Sequence, residues 1–238
     1  MTEVPVEPAA AFQELLLGAE ELEAYLSELA VLTLTLLGAR ILGCSLLIDR
    51  PRRLRAEGHS DDRSAGIAGQ VFAAEGPAEE AISTGASVVV PDVWSERRWH
   101  GFSGEGADEG LRSLAAVPLA LEGAARGVLC AFSPRPHLFQ PSTLRLVEKT
   151  AAEASRTLRL ALRIDNHLFR ARNLRAALES RTVVNIAVGI IMAQNNCSQD
   201  AAVEILRSVS NTRNIKIHSV AAGIVAAVSD RVRTHFEE

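Results

Sequence analysis

The chain is poor in aromatic residues, lysine and cysteine. Phenylalanine, tryptophan and tyrosine make up only 4% of its 238 residues, so a chain that is 47% hydrophobic must build its core mainly from aliphatic side chains. Lysine occurs only at Lys149 and Lys216, and arginine supplies the other 23 of the 25 basic residues, a bias that points to a GC-rich genome. Cys44, Cys130 and Cys197 are scattered and odd in number, with no C-x-x-C pair. That excludes a disulfide framework and a zinc site and suits a reducing, cytoplasmic location. Cys44 and Cys130 fall in apolar, strand-like runs and are expected to act as small core hydrophobes.

Long apolar runs are missing too. The stretch from Leu26 to Ile48 is interrupted by Glu28 and Arg40, which leaves only Leu29 to Ala39 uncharged. A membrane span needs roughly 20 such residues, so no membrane association is expected. The first residues show no basic segment leading into an apolar run, and a signal peptide is not expected.

The patterns of catalysis are lacking as well. The six histidines (His59, His100, His137, His167, His218, His235) are dispersed, with no H-x-x-x-H pair. Ser103-Gly104 has no strand-turn-helix setting, and neither a Walker lysine nor a GxGxxG occurs. The glycines between 101 and 110 sit in a stretch too acidic for phosphate, and Asp92 after Val90-Pro91 reads as a turn cap. No catalytic residue, cofactor or metal is expected.

What is present is a strong charge asymmetry. Residues 1–154 carry 13 basic and 22 acidic side chains, net −9, whereas residues 155–238 carry 12 and 7, net +5. An acidic regulatory part joined to a part that faces a polyanion has this signature; a solvated basic helix would have it too.

Residues 1–10, with Glu3, Pro5 and Pro8, read as a frayed tail. Ala11 to Leu37 is helical by its apolar face (Phe12, Leu15, Leu16, Ala19, Leu22, Leu26, Leu29, Leu36), and Gly38 ends it. Ile41 to Ile48 is a strand, Asp49-Arg50-Pro51 a turn and Leu54 to Glu57 the hairpin partner. Asp61 to Ala74 suits a helix or a helix plus loop, with Gly66 and Gly69 weakening the helix. Gly76-Pro77 opens another, with Glu79 and Glu80 in its first turn and Gly85 as its close. Strands follow at Ser87 to Val90, Leu111 to Leu119 and Gly127 to Phe132, the last two joined through Glu122-Gly123.

This order predicts an α+β unit, a mixed antiparallel sheet with flanking helices. It resembles a GAF domain on Gly76-Pro77, Glu80-Ala81, Thr84-Gly85, Val90-Pro91-Asp92, Arg98-Trp99, Leu111-Arg112-Ser113-Leu114, Val117-Pro118-Leu119 and Gly127-Val128-Leu129. The resemblance covers about residues 19–162 of a domain read as 11–162, and implies a dimerising module that senses a small molecule. Ala78 stands where many relatives have a cysteine after Gly-Pro, which argues against thiol signalling. A ligand pocket would be lined by the strands around Leu114 to Val117 and by the loop carrying Trp94, Trp99, His100 and Phe102. Alternatively, the two tryptophans belong to the domain's own core.

From Ser142 to Asn195 hardly any residue breaks a helix, and apolar residues from Leu144 to Leu178 recur at threes and fours. Residues 163–180 are read as a helical connector whose polar side bears Arg163, Arg170, Arg172 and Arg175, and whose apolar side is part of a dimer seam. Beyond it, Val184, Ala187, Val188, Ile191 and Met192 continue the helix, and Asn195 and Asn196 break it. Ser198 then caps a second amphipathic run through Ala202, Ile205 and Leu206. The polar turn Ser210 to Asn214 ends that run, and a third helix follows from about His218 to Val228.

This last segment, residues 181–238, resembles an ANTAR domain, the RNA-binding output module of bacterial antitermination regulators. The matching residues are Arg181, Ala187, Gly189 with Ile190-Ile191-Met192, Ser198, Ala202, Leu206-Arg207, Ser210, Asn214, Lys216 and Val220-Ala221. Val188 departs from the pattern where a lysine is common, and Val203 where an aromatic is common. The resemblance implies a three-helix bundle that binds stem-loops in nascent leader RNA as a homodimer. Arg207, Arg213 and Lys216 would supply phosphate contacts and stacking planes, and Ser210, Asn214 and His218 hydrogen bonds to bases. Ser210 and Asn214 could instead cap helices, and Arg181 could bind phosphate or pair near Glu179. Ala187, Gly189 and Ala202 read as tight packing positions. The rival reading is a ligand-binding or protein-interaction module without direct nucleic-acid binding.

Overall fold

The computed structural model describes residues 15, 21–72, 75–99, 102 and 110–236, with side chains as far as 228. The proposed tail at 1–10, most of the first helical turns and His100 lie outside the described residues. The chain divides into two compact units, residues 1–165 and 166–238.

In the first unit, α1 spans Leu22–Leu37 and buries Leu22, Tyr25, Leu26, Leu29, Ala30, Thr33 and Leu37 along one face. Gly38 stops it with φ 84, a conformation that disfavours a side chain. The strands are β1 (Gly43–Asp49), β2 (Ala56–His59), β3 (Val88–Val90), β4 (Ser113–Pro118) and β5 (Arg126–Ser133). They form one sheet in the order β2-β1-β5-β4-β3, with every pairing antiparallel. Helix α2 (Asp62–Val71) starts at Asp61, whose carboxylate accepts from the Ser64 N–H. Helix α3 (Pro77–Thr84) starts with proline in its first turn and ends at Gly85 in the left-handed region.

Successive side chains of a strand point to opposite faces, and both faces of this sheet are covered. Leu129 and Ala131 of β5 join α1, Cys44, Leu46 and Ile48 in one cluster. Val128, Cys130 and Phe132 join Ile67, Val71, Ala81, Ile82 and Leu114 in the other. Both Cys44 and Cys130 are fully buried, as core hydrophobes. The long helix α4 (Pro141–Asn195) adds Val147, Ala151, Ala154, Leu158, Ala161 and Leu162 to the first cluster.

One difference from expectation has a clear cause. The partner strand of β1 is Ala56–His59, two residues later than Leu54–Glu57, because the turn between them is longer. Arg52 adopts φ 62 there and Leu54 is 89% exposed. The backbone of β2 also comes against α1: a Cβ on Gly58 would lie 2.2 Å from the Leu26 carbonyl carbon. Strand assignment by side chain alone passes over such a glycine.

In the second unit, α4 ends at Asn195, and Asn196 turns the chain with φ 50. Ser198 caps α5 (Gln199–Arg213) by accepting from the Ala201 N–H. Helix α6 spans Ile217–Phe236. Ala187, Val188 and Ile191 of α4 close a small core with Ala202 and Leu206 of α5 and Val220 and Ala221 of α6. By length and composition alone α4 contains a window apolar enough to cross a membrane; its Ala187, Val188 and Ile191 are buried in this core.

Candidate functional site

The junction of α5 and α6 is where the C-terminal candidates meet. Residues 210–213 form the last turn of α5, not a loop, and Asn214 caps that turn in the left-handed conformation with φ 52. Asparagine tolerates this region better than most side chains. The Asn214 N–H donates to the carbonyls of Asn211 and Ser210, and the Ile215 N–H donates to the Ser210 carbonyl at 3.1 Å. The Ser210 hydroxyl donates to the Ile215 carbonyl at 2.6 Å. Ser210 and the Asn214 backbone thus build the junction, as the capping alternative has it.

Around this turn, Arg213, Asn214, Lys216 and His218 are exposed, and their side chains have no hydrogen bond or ion pair among the described residues. Arg207 differs: its guanidinium donates to Glu204 at 2.7 Å one turn back. Arg181 is exposed on α4, and the nearby Glu179 is engaged by Arg175 at 3.1 Å instead. The short connection between α4 and α5 makes them antiparallel neighbours.

The small residues divide. Ala187 and Ala202 are fully buried between helices, whereas Gly189 is exposed and a Cβ there would meet nothing within 4 Å, so among the described residues it is not a packing position. Val188 is buried in the core, and Val203 packs partly against it. Val188, which departs from the common lysine, is therefore a core residue.

In the N-terminal unit the aromatic residues separate into two environments. Phe102 is buried and meets Trp99 edge-to-face with ring centroids 6.0 Å apart. The Trp99 indole N–H donates to Glu80 of α3 at 3.0 Å, and Arg98 lies 4.3 Å over its ring. Trp99 and Phe102 therefore belong to the second cluster of the domain. Trp94 is 56% exposed, with the Arg112 guanidinium 3.7 Å above its ring. Arg112 is held in turn by both oxygens of Asp92 at 3.2 and 3.0 Å. That hydrogen bonding keeps the Asp92 carboxyl below the usual range, and Asp92 also caps the short 3-10 turn Val93–Ser95, as expected for a turn cap. A groove lined by Leu34, Thr35, Gly38, Ala39 and Ile41 lies apart from these aromatics, at the end of α1.

One constellation superficially resembles a hydrolytic triad: His59 Nδ1 is 2.9 Å from Ser45 Oγ, and His59 Nε2 is 3.6 Å from Glu57. Ser45 is fully buried and its hydroxyl donates to the Ser64 carbonyl at 3.2 Å. Its role is to join β1 to α2. No group of three or more metal-ligating side chains that could hold an ion occurs among the described residues.

A family model described as the GAF domain matches residues 19–159, and one described as the ANTAR domain matches residues 172–225. No curated protein matches the chain. Among solved structures, the nlh2 GAF domain of A. aeolicus in an inactive state is 17% identical, covering 66% of this chain and 94% of its own, with a TM-score of 0.46. The free methionine-R-sulfoxide reductase of Neisseria meningitidis is 20% identical, covering 69% and 98%, with a TM-score of 0.43. The GAF domain of an Acinetobacter phosphoenolpyruvate-protein phosphotransferase is 14% identical, covering 69% and 98%, with a TM-score of 0.48.

Proposed function

The chain belongs to the GAF-domain family and carries an ANTAR domain after it, and from that premise we propose that it is an RNA-binding regulator of transcription antitermination. In this reading the C-terminal helices bind stem-loops in nascent leader RNA and keep a terminator from forming. The GAF unit acts as the sensor of a small molecule, and the protein works in the cytoplasm as a homodimer.

The observation that carries the reading is the α5–α6 junction. Arg213 and Lys216 flank a left-handed turn at Asn214, are exposed, and have no carboxylate partner among the described residues. Unpaired cations held at a fixed spacing suit phosphates, while Asn214 and His218 can reach the edges of splayed loop bases. The net +5 of residues 155–238 acts in the same direction. Arg207 contributes less, since Glu204 already holds it. Dimerisation is supported by Leu160, Ile164, Leu174 and Leu178, which are 46–64% exposed along α4.

The test is a gel shift of the full chain with a tandem stem-loop RNA, against Arg213→Ala with Lys216→Ala. Binding by the wild type should weaken steeply with salt, by roughly 0.7–0.9 in log–log slope per phosphate neutralised. The folded double variant should bind more weakly at every salt concentration and lose about two phosphates' worth of slope. A dimeric wild type that binds neither RNA nor duplex DNA would favour a ligand-binding or protein-interaction module.

A further inference from the structure

The two isoleucines on either side of Lys216 take different environments. Ile217 packs against the C-terminal core, whereas Ile215 is 43% exposed and stands outside it. A single exposed isoleucine is ordinary on a protein surface. What sets this one apart is how its backbone is held. Its N–H donates to the Ser210 carbonyl at 3.1 Å, and its own carbonyl accepts from the Ser210 hydroxyl at 2.6 Å. One residue of α5 therefore engages both backbone polar groups of Ile215. The residues beside it are held as well. Asn214 caps α5 in the left-handed region, and the Lys216 carbonyl accepts from the Ser219 and Val220 N–H groups at the start of α6.

Its surroundings point to what it faces. Arg213, Asn214, Lys216 and His218 are exposed around it, and no hydrogen bond or ion pair engages their side chains among the described residues. An apolar side chain set between cations suits an unpaired nucleotide, which offers the face of a base between its phosphates. Such faces are most often met by aromatic rings. No phenylalanine, tryptophan or tyrosine occurs from 181 to 235, so an aliphatic side chain is what the C-terminal helices have for that task.

We propose that Ile215 is the apolar contact of the RNA surface, packing on the base face of an unpaired loop nucleotide whose phosphates meet Arg213 and Lys216. This rests on the RNA-binding function proposed for these helices, and adds a residue that carries affinity without charge. Because the Ile215 backbone is held before RNA arrives, little ordering opposes the contact.

Salt separates the two kinds of contact. Loss of a cation changes the slope of log affinity against log salt, whereas loss of an apolar contact lowers affinity by one factor at every salt concentration. The test titrates the full chain with a tandem stem-loop RNA over a range of salt, in Ile215→Ala, Ile215→Thr and Ile215→Leu. With much of the side chain left to cover, Ile215→Ala should bind about fivefold more weakly at the wild-type slope. Ile215→Thr keeps the branched shape, should fall likewise, and decides the matter if Ile215→Ala melts early. Ile215→Leu keeps the apolar area and should stay within about twofold of the wild type. Wild-type affinity in Ile215→Ala and Ile215→Thr, a changed slope, or an equal loss in Ile215→Leu would overturn the proposal and leave the RNA-binding function standing. A wild type that binds no RNA would overturn both.

Discussion

The Ser210 hydroxyl donates to the Ile215 carbonyl at 2.6 Å, closing the turn between α5 and α6 with a side chain where the backbone alone would leave an acceptor open. Ser210→Ala should therefore lower the stability of the C-terminal helices by about 0.5–1.5 kcal/mol. Thermal melting of the full chain should resolve this. A variant that melts like the wild type yet binds RNA more weakly would instead make Ser210 a direct contact.

Among the described residues the C-terminal core is small: seven are buried, with Leu206 fully enclosed among them. Leu206→Ala should destabilise that unit by about 2–5 kcal/mol, which is enough to melt a bundle of this size. Limited proteolysis should then cut within 183–228 while the N-terminal unit survives. Equal loss of both units would show that they unfold together.

Gly58→Ala should be severe in the N-terminal unit. The added Cβ meets the backbone of Leu26, which cannot rotate away, so α1 must lift from β2. A loss of about 1–3 kcal/mol or more is expected, read from the denaturant midpoint. Gly69→Ala is the control, because a Cβ there meets nothing within 4 Å and alanine favours a helix.

Burial holds the His59 imidazole below its ordinary value, against the opposing pull of Glu57 and Asp61. The unfolded chain therefore takes up a proton more readily than the folded one. Above the unfolded value of about 6.5 both forms are neutral and the stability is complete; as pH falls below it, stability is lost until the folded value is passed. The melting temperature should fall between pH 7 and pH 5.5, and His59→Gln should flatten that step. Asp92 and Glu96 act in the same direction at lower pH, because hydrogen bonds from Arg112 and Arg98 hold them below the usual carboxylate range.

Local chemistry made most of the elements legible. Gly38, Gly85 and Asn196 marked ends that the structure places at positive φ, and Ser198 marked the start of α5. The alternation of β4 and β5 was harder to see, because both faces of the sheet are buried and the strands read as continuous apolar runs. Exposure of Gly189 could not be foreseen from residue size. The difference between Trp94 and Trp99 depends on partners 18 and 19 residues away, Arg112 and Glu80. The pairing of Arg50 and Arg53 with Asp165 spans more than a hundred residues, and no periodicity or motif connects positions that far apart.

The burial of two of the three cysteines has a practical consequence for probing this molecule. Desolvation pushes the Cys44 thiol up to about 12 and raises Cys130 further, so neither offers an appreciable thiolate at neutral pH. Cys197 is partly exposed at the turn between α4 and α5. A maleimide dye added to the native protein should therefore label one position, beside the cap of α5, and report on the C-terminal helices without any engineered substitution.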